Sequence, residues 1–156
     1  GLPMIDVLIA FSDDVITLHS SGTKSSVKKI TINTTNTILS KQMISFDNQF
    51  YKDPFRIKKN FNLLVDNTFT IRISGSAVFD IAMIVIGKLN ARVWHHTEIY
   101  DVAPAFAFLK HAGSLINMNT GGKASLSDKS IIATTDIALY EQLEEIGFMS
   151  KVIDYD

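Results

Sequence analysis

Hydrophobic positions along this chain come first in short runs and alternations, then in longer blocks. Residues 4–11 form an apolar run broken only by Asp6, and residues 15–19 make a second segment of β length. Ser12, Asp13 and Asp14 between them have the composition of a hairpin turn. Residues 20–29 are polar, include Gly22 and predict a loop. Alternation returns at 28–33 and 42–46, where each pattern predicts a half-buried strand, and the Thr- and Asn-rich residues 34–37 read as a connection. Asp53-Pro54 is a helix start, with Asp as N-cap and Pro at the first helical position. The helix runs over 54–65, turning Phe55, Ile57, Phe61, Leu64 and Val65 inward and Lys58, Lys59 and Asn62 outward. Phe69, Ile71 and Ile73 then alternate along a strand over 68–74 that leads to Gly75.

The segment 75–113 organises the second half. Gly75-Ser76 opens a helix over 77–89 that is apolar on nearly every face, which predicts burial on more than one side. Residues 91–94 are strand-sized, and a second apolar helix over 101–111 carries Pro104 in its first turn, where a missing N–H costs little. A strand at 114–118, a turn at 119–122, a polar loop at 123–129, a buried strand at 131–133 and an amphipathic helix at 136–146 capped by Thr135 complete the pattern. Strands alternating with helices predict a layered α/β domain.

Composition narrows the class of function. The chain has 156 residues, 46% of them hydrophobic, enough to bury a core as one domain. A net charge of −1 argues against nucleic acid and against a polybasic membrane surface as partners. With no cysteine, disulfides and thiolate zinc sites are excluded. No apolar run reaches membrane-spanning length, and no basic segment of a signal peptide opens the chain. It begins Gly-Leu-Pro rather than with Met, so residue 1 is read as lying inside a longer protein.

No phosphate loop, nucleophile elbow, zinc-binding helix or dinucleotide fingerprint is present. Asp13 and Asp14 invite a metal, but they are also ordinary turn residues. His95 and His96, adjacent on an extended segment, point to opposite faces and do not converge on one ion. Asp101 begins a buried apolar helix just after a strand, a position that suits either a capping carboxylate or a ligand. Two helix N-termini, at 75–77 and near 101, would suit a phosphate if both faced one crevice.

Taken together, Gly75-Ser76-Ala77, Gly87, Tyr100-Asp101-Val102-Ala103, His111-Ala112-Gly113 and the late strand 131–135 resemble, in order and spacing, the C-terminal half of the inositol monophosphatase family. The resemblance covers residues 68–148 well and residues 4–47 loosely. It implies an α/β fold, a layered α-β-α-β sandwich of the sugar-phosphatase type, with 1–50 a strand-rich part of the middle sheet and 51–156 the C-terminal domain. It implies a cytoplasmic, Mg2+-dependent phosphomonoesterase for a small phosphorylated substrate (a sugar, inositol or nucleotide phosphate), and it leaves a homodimer open. Asp101 matches a metal ligand, and Gly75, Ser76 and Ala77 match residues lining the substrate's alcohol side. Trp94 stands where inositol-selective members carry a Glu for the sugar hydroxyls; tryptophan cannot accept those hydrogen bonds. The family's other metal ligands, a Glu and an Asp-Pro-x-Asp-Gly-Thr motif, have no counterpart in residues 1–74. No catalytic residue is therefore assigned within the chain, and the chain alone is expected to be inactive. The alternative is a non-catalytic regulatory or interaction module that keeps the fold. Either way, a missing half would leave sheet edges or helix faces uncovered.

Overall fold

The computed structural model describes residues 7–12, 15–20, 26–29, 37–109 and 114–148. Near the N-terminus, β1 (Val7–Ser12), β2 (Val15–Ser20) and β3 (Ser26–Lys29) form an antiparallel sheet in the order β1-β2-β3. Ser12 pairs with Val15, as the hairpin pattern requires. The turn acids Asp13 and Asp14, the end of the strand expected at 28–33 and residues 34–36 of the connection lie outside the described residues.

The second sheet carries the rest. Its five strands are β4 (Met43–Ser45), β5 (Thr70–Arg72), β6 (Ala91–Trp94), β7 (Ser114–Asn117) and β8 (Ile131–Thr134), ordered β5-β4-β6-β8-β7. The β4 strand pairs in parallel with β5 and with β6, whereas β8 pairs antiparallel with β6 and β7. Four helices cover it: α1 (Pro54–Asn67), α2 (Ala77–Val85), α3 (Ile99–Leu109) and α4 (Ile137–Glu145). Strand alternation sorts the core into two layers. Trp94, Ile131 and Ala133 pack with Ile81, Ile84, Val102 and Leu109 of α2 and α3. Ala91, Val93 and Ile132 pack with Ile57 and Leu64 of α1 and Leu139 and Leu143 of α4. The result is an α/β sandwich with helices on both faces, as the sequence pattern predicts.

Several local expectations need correction. Phe55 and Val65 are exposed on α1; only Ile57 and Leu64 of the apolar set expected inward are fully buried, with Phe61 half-buried. Because β5 is an edge strand, Phe69 and Ile73 stay exposed instead of alternating into a core. The α2 helix ends at Val85, well short of 89, and Gly87 follows at φ 74°, a left-handed conformation that terminates helices. It is not buried all round, since Val78 and Phe79 are exposed. The α3 helix starts at Ile99, so Pro104 falls beyond the first turn, where it has no N–H to give the Tyr100 carbonyl. Its expected end at His111, with the His111-Ala112-Gly113 motif, lies outside the described residues. Asp136, not Thr135, caps α4, accepting from the Ala138 N–H at 3.1 Å. Phe69 and Ile73, flanking the edge strand β5, and Val78 and Phe79 on α2 are exposed.

Candidate functional site

Three parallel strands, β5, β4 and β6, end on the same side of the sheet. In open α/β sheets the crevice outside the carboxyl ends of such strands is the usual place for ligands. A cavity of about 70 Å3 lies there, lined by Asp47, Asn48 and Gln49 after β4, Gly75 and Ala77 after β5, and Arg92, Trp94, His96 and Asp101 at or after the end of β6. Gly75, Ala77, Trp94 and Asp101, all singled out in the sequence, thus line one cavity. Ser76 does not line the cavity. It is exposed, and its hydroxyl caps α2, accepting from the Phe79 N–H at 3.4 Å.

Local geometry explains the placement. Gly75 sits at φ 73°, where an L side chain is strained, and a Cβ built there would meet nothing within 4 Å. Glycine is thus demanded by the turn itself and not by crowding. Asp101 lies in the first turn of α3, its backbone N–H donating to the Glu98 carbonyl at 3.0 Å. Its half-buried carboxylate makes no hydrogen bond or ion pair among the described residues. Asp47 is different: its two oxygens accept from the backbone N–H groups of Gln49 and His95, both at 2.8 Å. Burial would raise its pKa, but the His95 ring and these two N–H groups outweigh burial and hold the carboxyl down at about 2. His95 is fully buried, and burial lowers its pKa despite the neighbouring Asp47. Asn60 Nδ2 lies 3.0 Å from His95 Nε2, so the amide donates and the proton of the neutral ring belongs on Nδ1, 3.5 Å from Asp47. His96 faces the other way and is partly exposed, as the alternation of adjacent residues requires.

Arg92, which lines the cavity, forms a buried ion pair with Asp80. Ser45 Oγ donates to Asp80 at 2.5 Å and accepts from Arg92 Nη1 at 2.8 Å, while Ser74 Oγ donates to Asp80 at 2.8 Å. The Arg92 guanidinium also lies 5.3 Å from the centre of the Trp94 ring. This network ties β4, the 74–77 turn, α2 and β6 together. Sequence reading missed Asp47, Gln49 and Arg92, and weighed His96 only as half of a metal-binding pair. For Arg92 a signal existed, since its spacing of two from Trp94 on a strand puts both on one face. For Asp47 and Gln49 there was none, because nothing local says that a strand end opens onto a crevice.

A magnesium ion takes about six oxygen ligands. Asp101 suits one such position, but no group of three or more His, Asp or Glu side chains among the described residues is placed to hold an ion. The described residues therefore do not make a complete magnesium site. No helix among them is long and apolar enough to cross a membrane.

These features define a mixed-sheet α/β sandwich with a polar crevice at its parallel strand ends. Neither protein-family models nor curated protein sequences return a match. Solved structures do. Inositol monophosphatase II from Staphylococcus aureus MSSA476 superposes with a TM-score of 0.64 at 19% identity, over 85% of this chain and 50% of that one. SaIMPase-II with 2'AMP bound gives 0.64 at 18%, over 84% and 51%. The inositol monophosphatase of Anabaena (Nostoc) sp. PCC 7120 gives 0.64 at 18%, over 85% and 55%. The chain has the inositol monophosphatase fold, and it spans about half the length of the structures it matches, consistent with their C-terminal portion.

Proposed function

We propose that this chain is the C-terminal part of a Mg2+-dependent phosphomonoesterase that hydrolyses a small sugar, inositol or nucleotide phosphate. One observation carries the reading: Gly75, Ala77, Trp94 and Asp101, up to 26 residues apart in sequence, meet around one polar cavity at the ends of three parallel strands. The unpartnered Asp101 carboxylate is the group suited to a hard cation, and the 75–77 turn and Trp94 are suited to the alcohol side of the ester. Neighbouring structures solved with inositol monophosphate and with 2'AMP fit this substrate class. Magnesium, if bound, would supply charge neutralisation of the phosphate and an activated water; on this reading its remaining ligands would come from outside this chain. The 156-residue chain alone should release no phosphate from either ester at any Mg2+ concentration, whereas a longer protein carrying an upstream Asp-Pro-x-Asp-Gly-Thr motif should. Activity without Mg2+ would refute the proposal. An incomplete ligand set also fits a non-catalytic module, and an upstream sequence lacking that motif would favour it.

A further inference from the structure

A second cavity, of about 230 Å3, opens between the edge strand β5 and α2, and it shares no lining residue with the polar crevice. Its walls are mostly apolar: Met43 on β4, Ile73 after β5, Phe79 and Met83 on α2, and Leu89 before β6. The sheet order accounts for it, since α2 packs on β6 and leaves the edge strand partly uncovered. Hydrogen bonds pin both ends. Gly87 at φ 74° turns the chain back after α2, and the Lys88 and Leu89 N–H groups donate to the Met83 carbonyl at 2.8 and 3.2 Å. At the other end Ser74 Oγ donates to Asp80 at 2.8 Å. Two cations, Arg72 and Lys88, also line the cavity. Ile71 packs toward α1, so alternation along β5 puts Arg72 on the opposite face, with α2. Arg72 Nη1 donates to Thr70 Oγ1 at 3.2 Å, and neither cation has a carboxylate partner among the described residues. Asp80, the acid in the lining, is already matched by Arg92.

We propose that this cavity binds a small aromatic carboxylate, its ring among the apolar side chains and its carboxylate at Arg72 and Lys88. Apolar cavities of about 150 Å3 hold a benzene ring, so this one takes a ring with a short acidic arm. Methionine sulfur attracts aromatic rings, and two methionines line the space, while Phe79 adds a ring partner. A guanidinium pairs with a carboxylate through two parallel hydrogen bonds, and the lysine ammonium adds a second charge. A cationic ligand is disfavoured by the two unmatched positive charges. A bare phosphate would lose its hydration against apolar walls. Neither the metal nor the phosphate ester enters the inference, so it stands apart from the phosphatase reading.

Titration of the 156-residue chain with phenylpropanoate and with its neutral amide tests it, read by the methyl signals of isotope-labelled methionine in NMR spectra. The Met43 and Met83 methyls should shift, while that of Met118, buried in the layer with α1 and α4, should not. Phenylpropanoate should bind at least about threefold more tightly than phenylpropanamide, the scale of exposed ion pairs. Arg72→Gln combined with Lys88→Gln, both at exposed positions, should erase that preference and leave the amide's affinity unchanged. Should the double variant unfold, the comparison of acid with amide on the unaltered chain decides alone. No response of Met43 and Met83 would overturn the proposal. So would equal affinity for acid and amide, or a preference that the folded double variant keeps. A response that fades as protein concentration rises would overturn it too, and give the face to a second copy of the chain.

Discussion

Single residues here carry two kinds of cost. Asp80 is buried with its charge matched by Arg92 and its oxygen Oδ2 also bonded by Ser45 and Ser74. Removing one charge of such a pair strands the other, so Asp80→Asn should destabilise the chain by about 3 kcal/mol in chemical denaturation. Replacing Gly75 by Ala forces a side chain into a left-handed conformation while meeting no steric neighbour, so a loss of about 1 kcal/mol is expected and no more. Acidification acts through His95 and Asp47. Burial holds the folded-state pKa of His95 below its usual 6.5, so the unfolded chain binds more protons and stability falls as pH drops below about 6.5. Asp47, held at about 2 in the folded state against 3.8 otherwise, adds a second loss as pH falls from near 4 towards 2. Melting temperatures followed from pH 8 to pH 3 should therefore decline in two stages, and a profile flat down to pH 5 would contradict the buried neutral histidine.

Elements obey local signals where those signals are strong. Asp53-Pro54 announced α1, and Asp53 does accept from the Arg56 N–H at 3.2 Å. The strands at 43–45, 70–72, 91–94 and 131–134 fell within a residue or two of the stretches their patterns named. Burial was less legible, because apolar spacing says which face is hydrophobic but not whether a neighbour covers it. Phe55 on α1 and Phe69 before β5 show this. Pro104 was misplaced by the two-residue error at the start of α3, and its true position has an energetic consequence. Inside the helix it removes a hydrogen bond to the Tyr100 carbonyl, so Pro104→Ala should raise stability by about 1 kcal/mol in denaturant titration. An unchanged or lowered stability would mean that Pro104 is needed for the packing of α3.

At the scale of the molecule, function follows from where three chain reversals happen to lie. Parallel pairing of β5, β4 and β6 brings the segments 47–49, 75–77 and 92–101 to one end of the sheet, and no local pattern in any of them specifies that meeting. Motif order found Gly75, Ala77, Trp94 and Asp101 because it encodes the topology indirectly; it could not find Gln49 or Arg92, which belong to no motif. The most direct measurement is Mg2+-dependent phosphate release by a longer protein that carries this chain together with an Asp-Pro-x-Asp-Gly-Thr motif, compared with its Asp101→Asn variant, whose circular dichroism confirms an intact fold. Loss of at least about a hundredfold in turnover is predicted, as for a removed metal ligand at a reacting phosphate. Turnover within twofold of the unaltered protein would contradict the proposed site in this crevice.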